Sequence, residues 1–307
     1  MSETGAPARE PVPIGAIAAP PFVRLPDPST HFRLRAQRFA VLALDHDLGP
    51  YLRFMAGLAE AQHQTQDGLP EPVMPTTADQ ERARMHAMPP LNLTSFKADT
   101  ALDATFNRFF ALASEVDMPA AARAALDNVT RLDGARRAEL TQAALDWSPD
   151  AARLAEHTFV AAAVQAHFAR LASRLDGERL VPVGDGVCPA CSGPPSASLI
   201  VRWPGAHGTR FCACSICSTL WHVVRIKCVS CGSTEGIEYE EVADGPGARQ
   251  VRAETCRKCK SYVKIMLQTE NAALDPVADD IATIGLDILM RETGIRRAGA
   301  NPFLVGY

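Results

Sequence analysis

The sequence lacks the short motifs that mark several common enzyme classes. It has no GxxxxGK(S/T) loop for nucleotide phosphates and no GxGxxG turn after a predicted strand. It also has no HExxH helix and no GxSxG nucleophile elbow. No nucleophile, general base and orienting group can be assembled from the remaining residues. We therefore expect a protein that is not an enzyme.

A long apolar run is also missing. No stretch reaches the roughly 18 consecutive apolar residues that a membrane helix needs, so no membrane partner is expected. The N-terminus, MSETGAPAREPVPIGAIAAPPF, has no charged start followed by a long apolar segment, and it does not resemble a signal peptide. These features favour a cytoplasmic protein. Because the cytoplasm is reducing, structural disulfides are not expected.

A strong charge of either sign is absent. The net charge is −4 over 307 residues. Residues 188–268 contain ten Lys/Arg and six Asp/Glu, and two divalent ions each bound by four thiolates would bring this segment close to neutral. Because nucleic-acid affinity depends on neutralising phosphates, this charge pattern does not favour a nucleic-acid partner. We interpret a small basic cluster as a solvated face; it consists of Arg257, Lys258, Lys260 and Lys264.

Cysteine is absent from residues 1–187, and all nine cysteines lie between residues 188 and 259. Eight of them form four Cys-x-x-Cys pairs: Cys188/Cys191, Cys214/Cys217, Cys228/Cys231 and Cys256/Cys259. The two-residue spacer makes a tight turn that aims both sulfurs at one point, and two such pairs bind one tetrahedral ion. Four pairs therefore predict two four-cysteine metal sites.

The spacing of the pairs favours a sequential arrangement, in which the first pair joins the second and the third joins the fourth. Each of these gaps can hold a β-hairpin. The second and third pairs are separated by the strand-like TLWHVVRI, which spans roughly 26 Å and would keep them apart. An interleaved arrangement, first with third and second with fourth, remains open. The predicted ligands are Cys188, Cys191, Cys214 and Cys217 for site 1, and Cys228, Cys231, Cys256 and Cys259 for site 2.

Other residues near the pairs have simpler interpretations. Cys212 is interpreted as a buried small apolar residue, with a reactive thiol as the alternative. His222 is expected to pack and hydrogen-bond rather than bind metal, and Trp221 to lie in a core or between domains. The carboxylates of Asp279 and Asp280 are explained by the first turn of a helix.

Periodicity divides the chain into two kinds of structure. Helical spacing dominates up to residue 176, most clearly in 151–175, where apolar residues recur every three or four positions. After residue 188 short segments rich in β-branched and aromatic residues predict strands. A helix follows Asp275, with an apolar stripe at Val277, Ile281, Ile284 and Ile288.

The predicted fold class is α+β: an N-terminal α-helical domain, then two consecutive rubredoxin/zinc-ribbon-like four-cysteine modules with short antiparallel strands, and a C-terminal helix. The predicted units are a flexible arm (1–27), the α-helical domain (28–176), a linker (177–187), the first module (188–226), the second module (227–270), and the C-terminal helix and tail (271–307).

The order CPAC, CSIC-x3-WHVVRIKCVSC, ETCRKCKSYVKI, DPVADDIATIGLDILM and NPF resembles the FdhE family of formate dehydrogenase accessory proteins. The match is specific from about residue 188 to 303 and looser upstream. Cys212 departs from the family pattern. The resemblance implies a cytoplasmic, non-enzymatic maturation protein that binds the catalytic subunit of formate dehydrogenase. It also implies that the eight paired cysteines are rubredoxin-like ligands; iron is favoured, and zinc suits the same geometry.

Two alternative functions stay open. In one, the protein is a redox-active iron protein that transfers electrons or assists sulfur chemistry on its client. In the other, it is a nucleic-acid-binding zinc-ribbon protein.

Overall fold

The computed structural model describes residues 19–245 and 247–304. Its described helices, in chain order, are α1 (His31–Leu42), α2 (Gly49–Thr65), α3 (Thr77–Met85), α4 (Thr100–Ala113), α5 (Ala120–Arg131), α6 (Gly134–Leu145), α7 (Leu154–Ser173), α8 (Ala278–Ala282) and α9 (Ile284–Glu292). Its described strands are β1 (Val23–Arg24), β2 (Pro195–Ile200), β3 (Arg210–Cys214), β4 (Leu220–Val223), β5 (Ile237–Glu240), β6 (Val251–Cys256), β7 (Ser261–Leu267) and β8 (Arg296–Arg297).

Helix α7 is the centre of the helical part. It contacts α2, α4, α5 and α6, and nearly all its side chains from His157 to Ala172 are buried. A helix that is apolar on all sides must be covered by other elements, and here its neighbours supply that cover. Helix α4 packs on it through Leu102, Phe106 and Phe109. The side chain of Asp99 accepts a hydrogen bond from the Leu102 N–H and fixes where α4 begins.

The strands form one continuous sheet in the order β1-β4-β3-β2-β7-β6-β5, with β8 also paired to β7. The short strands expected after residue 188 are present as β2 to β7. The expected hairpins β2–β3 and β5–β6 are antiparallel. The two four-cysteine modules share this sheet because β2 pairs with β7 in parallel. The predicted α+β class, with its helical part and two cysteine modules, is therefore confirmed.

The two-residue strands β1 and β8 lie outside the expected pattern. Residues 1–27 were expected to form a flexible arm, but within the described residues Val23 and Arg24 pair with Trp221 and Leu220 of β4. Residues 1–18 lie outside the described part of the chain. A two-residue strand has no detectable alternation, so periodicity does not reveal it. The segment TLWHVVRI is also less regular than expected, since β4 covers Leu220–Val223 and the chain then enters a turn.

The C-terminal helix differs from its expected form. It breaks at Thr283 into α8 and α9, and this break rotates the second part. Val277 and Ile281 are buried as expected, but Ile288 is 48% exposed. Leu286 and Met290 face the interior in its place. The expected stripe is therefore wrong in its second half.

Across the described ranges, no helix has the length and apolar character to cross a membrane.

Candidate metal centres

All four cysteine pairs adopt the same local turn. The residue after each pair has a positive φ: 72° at Ser192, 60° at Ser218, 71° at Gly232 and 53° at Lys260. In the first three pairs the N–H of the first cysteine donates to the carbonyl five residues later, at 2.8–3.0 Å. In the fourth, Cys256 pairs with Ser261 across the β6–β7 ladder. The left-handed residue turns the chain sharply, and both sulfurs of a pair then face the same side.

The first group consists of Cys188, Cys191, Cys214 and Cys217. The Sγ atoms of Cys188 and Cys217 are 3.6 Å apart, and those of Cys191 and Cys214 are 3.4 Å apart. All four sulfurs lie within 4.8 Å of one another. A tetrahedral ion with metal–sulfur bonds of about 2.3 Å separates its sulfurs by about 3.8 Å. The group therefore has the size and donor set of a four-thiolate metal site.

The second group consists of Cys228, Cys231, Cys256 and Cys259, and it has nearly the same dimensions. Sγ–Sγ distances are 3.6 Å between Cys228 and Cys259 and 3.8 Å between Cys231 and Cys256. This group also could hold one ion. Four thiolates in a tetrahedron suit both iron and zinc. The sulfurs are thus grouped sequentially along the chain, and their role as metal ligands stays a prediction.

Polar groups surround the sulfurs of the first group. The N–H groups of Ile216 and Cys217 donate to Cys214 Sγ at 3.4 Å. Thr219 Oγ1 lies 3.1 Å from Cys217 Sγ. Burial raises the pKa of the Cys188 thiol well above its ordinary value. Several buried thiolates are stable together only beside a cation, so the environment of this group suits a bound metal ion.

The helical part holds the first group in place. The N–H groups of Leu91 and Leu93 donate to the carbonyls of Ala190 and Cys191, at 2.9 and 3.0 Å. From α7, the Gln165 amide donates to a carbonyl of the second pair's turn at 2.7 Å. Sequence reasoning missed these contacts. Residues 69–99 are rich in proline and show no period, so nothing in the sequence indicates what they touch.

The second group lies at the surface. Cys231 is exposed and Cys259 is half-buried, whereas Cys228 and Cys256 are 5% and 1% exposed. Ser261 Oγ lies 2.9 Å from Cys259 Sγ. Burial acts to raise the pKa of Cys259, but the contacts with Ser261 and the other thiols outweigh it and lower this pKa to about 7.

The remaining residues singled out in the sequence lie outside both groups. Cys212 is fully buried in β3, and burial raises its pKa to about 12, so the thiol stays protonated at neutral pH. Trp221 is 3% exposed and belongs to the core that the helical part shares with the first group. His222 makes an edge contact with the Phe211 ring at 5.6 Å. None of these three belongs to a candidate metal cluster among the described residues.

The carboxylates and the basic cluster require two corrections. Asp279 pairs with Arg38 of α1, with Nη2 and Oδ1 2.5 Å apart, and Asp280 is fully buried. Helix-end electrostatics alone therefore do not explain these two residues. The sequence predicts a solvated face for Lys264, and this is wrong: the residue is 1% exposed and pairs with Asp280 and Asp287. Alternation along β7 does not reveal this because the strand is buried on both faces.

Comparisons with known proteins agree along the whole described chain. Three family models match: "FdhE, N-terminal" over residues 20–185, "FdhE, central domain" over 187–225 and "FdhE, C-terminal domain" over 226–304. A "Protein FdhE homolog" from Rhizobium meliloti (strain 1021) is 43% identical over 299 residues, covering 97% of each chain. The homologue from Pseudomonas putida is 36% identical and covers 96% of this chain and 94% of its own.

A solved structure has the same fold. The crystal structure of the FdhE protein from Pseudomonas aeruginosa superposes with a TM-score of 0.82 at 30% sequence identity. The alignment covers 94% of this chain and 99% of that one.

Proposed function

Because this chain belongs to the FdhE family, we propose that it is an accessory protein that binds the catalytic subunit of formate dehydrogenase and is needed for that enzyme's activity. The observation that carries the proposal is that the family match extends over both the helical part and the cysteine modules. A likeness limited to one cysteine module would indicate only a ribbon fold, since such modules occur in many proteins.

The proposal includes two bound metal ions, one in each four-cysteine group. Site 1 would use Cys188, Cys191, Cys214 and Cys217, and site 2 would use Cys228, Cys231, Cys256 and Cys259. The sulfur separations of 3.4–3.8 Å support this assignment. Iron is the ion that the family resemblance favours, and zinc suits the same four thiolates. When bound, either ion would fix the two turns of a group to each other.

We also propose that the protein is cytoplasmic and carries out no catalysis of its own. Eight of the nine cysteines lie in the two four-cysteine groups, an arrangement of thiolates that a reducing compartment preserves. Binding a client would then be the whole of its action.

The surface of α1 is the first candidate to test as the site at which the client binds. Leu34 and Val41 are each 58% exposed, although they are apolar and one face of the helix carries both. They border a cavity of about 530 Å³ between α1, β1 and residues 268–276. Exposed apolar groups beside a concave surface are typical of protein contact sites.

Co-purification tests this function. Tagged protein should retain the formate dehydrogenase catalytic subunit, and a deletion strain should lose formate dehydrogenase activity. The double variant Leu34→Asp/Val41→Asp should retain less client. Val73→Asp, at a residue that is 69% exposed and does not line this cavity, is the control. Absence of association combined with normal enzyme activity in the deletion strain would refute the proposal.

A second candidate function is electron transfer to the client through site 2. The exposure of Cys231 favours it, because an iron–thiolate group at the surface can approach a partner's redox centre. Protein purified without oxygen should then show visible absorption that bleaches on reduction. A colourless protein that contains only zinc would exclude this function.

A further inference from the structure

We infer that the two four-cysteine groups have different roles: the first is a sealed structural centre, and the second is the site at which a metal ion enters and leaves the folded protein. The inference rests on the proposed binding of two ions and is independent of the client. The sulfur geometry of the two groups is nearly the same. The inference therefore follows from the residues that cover each group.

The first group is closed from several sides. Its four cysteines are between 0% and 2% exposed. They belong to one hydrophobic core with α2, α4 and α7. The N–H groups of Leu91 and Leu93 and the Gln165 amide hold its turns against the helical part. An ion here can leave only when helices and sheet separate, which is a large opening of low population.

The second group is open on one side. Cys231 is exposed and Cys259 is half-buried, so two of its four sulfurs can be approached in the folded state. Its strands β5 and β6 lie at the end of the sheet, away from β1. In the described part of the chain, the hydrogen-bonding groups near its sulfurs come from its own module, as Ser261 does. Access to these two sulfurs therefore does not require the helical part to separate from the sheet.

Surrounding charge indicates which ligands would reach the second group. A divalent ion with four thiolates carries a charge of −2, and the exposed side chains of Lys258 and Lys260 lie next to its ligands in sequence. Arg257, also exposed, is paired with Glu238. Basic side chains at the entrance attract anions. The partner class is therefore a small anionic chelator or metal carrier with carboxylate, imidazole or thiolate donors.

Exchange at this group needs no oxidant or reductant. Donors of the incoming ligand replace the thiolates one at a time, beginning with the exposed Cys231 and the half-buried Cys259. The ion leaves with its charge unchanged, as a complex with the incoming ligand. The freed thiolates stay ionised or take up protons from water.

The test uses the full-length protein loaded with two equivalents of zinc. N-ethylmaleimide, which is uncharged, is added together with the dye 4-(2-pyridylazo)resorcinol, whose absorbance reports released zinc. One equivalent should be released at least about tenfold faster than the other, because only release from the first group requires separation of the helices from the sheet. Peptide mapping after the fast phase should find adducts on the second group. The buried thiol of Cys212 should stay unmodified.

A variant tests whether contacts from the helical part cause the slow release of zinc from the first group. Gln165→Ala removes the donor to the second pair's turn and should accelerate the slow phase only. Gln64→Ala, at an exposed glutamine of α2, is the matched control and should change neither phase. Protein that binds fewer than two equivalents would contradict the two-ion proposal itself. Two equivalents released with one rate constant, or adducts on the first group in the fast phase, would overturn the inference.

Discussion

Replacement of Lys264 by methionine should strongly destabilise this protein. The Lys264 side chain is 1% exposed, and its Nζ lies 2.5 Å from Asp287 Oδ2 and 3.2 Å from Asp280 Oδ1. The same Nζ donates to the carbonyls of Asp280 and Thr283, at 2.8 and 3.0 Å. This one ammonium group therefore joins β7 to both α8 and α9.

The magnitude follows from the charges that remain in the variant. Arg297 would still contact Asp280 at 2.6 Å and Asp287 at 2.8 Å, so one cation would face two buried carboxylates. Removing one partner of a buried ion pair costs about 3–5 kcal/mol. Methionine retains most of the apolar stem of the lysine, so a new cavity contributes little to this cost.

Urea unfolding of the metal-loaded protein, followed by circular dichroism, measures the effect. Lys258→Met is the control, because Lys258 is exposed and belongs to the same basic cluster in the sequence. Its unfolding midpoint should match that of the unchanged protein. Metal content is measured for both variants. A Lys264→Met midpoint equal to that of the control would refute the reasoning.

The pH dependence supplies a second readout. Burial acts to raise the pKa of Asp280, but Arg297 and Lys264 outweigh it and hold this pKa below the ordinary value of 3.8. Stability from ionised Asp280 is therefore present above about pH 4 and is lost only as the pH falls through the lower folded value. Without Lys264 a buried carboxyl pKa rises, and protonation relieves the unpaired charge. The difference between the two proteins should then be smaller at about pH 5.5 than at about pH 7.5.

Three further predictions concern the metal groups and one helix. Cys228→Ser should lose one metal equivalent and unfold the second module while helix content, measured by circular dichroism, stays nearly unchanged; uniform loss of helix would contradict this. Thr219→Val removes the hydroxyl 3.1 Å from Cys217 Sγ and should weaken metal binding at the first group by about 10- to 100-fold in a chelator competition. Asp99→Ala removes the cap of α4 and should lower the free energy of unfolding by about 1 kcal/mol in a urea titration; an unchanged midpoint would show that this cap is dispensable.

Local patterns in the sequence were sufficient for several parts of the structure. The Cys-x-x-Cys spacing requires a tight turn, and the same turn occurs at all four pairs, closed by Ser192, Ser218, Gly232 or Lys260. Short β-branched segments predicted all six strands of the two modules. The apolar stripe of 151–175 predicted α7. In each case neighbouring residues determine the structure, so a short window of sequence contains the necessary information.

Contacts between distant segments could not be predicted in this way. The pairing of β2 with β7 joins residues more than sixty positions apart, and the exposed face expected for Lys264 depends on where α8 and α9 pack. The break at Thr283 likewise has no proline to mark it, and Gly285 lies two residues beyond it. Because tertiary packing decides these features, residue type and period at one position do not reveal them.

The Cys-x-x-Cys motif does not reveal how deeply each metal group is buried, and the two groups differ most in this respect. Both groups are made from the same paired turns, with nearly the same sulfur spacing. The first module lies inside the sheet, between β1 and β7, and the segment between α3 and α4 supplies two of the N–H groups that hold it. The second module ends at β5, on the edge of the sheet. Four identical ligands can therefore form a sealed centre or an open one, and the difference lies in the helices and strands that cover them.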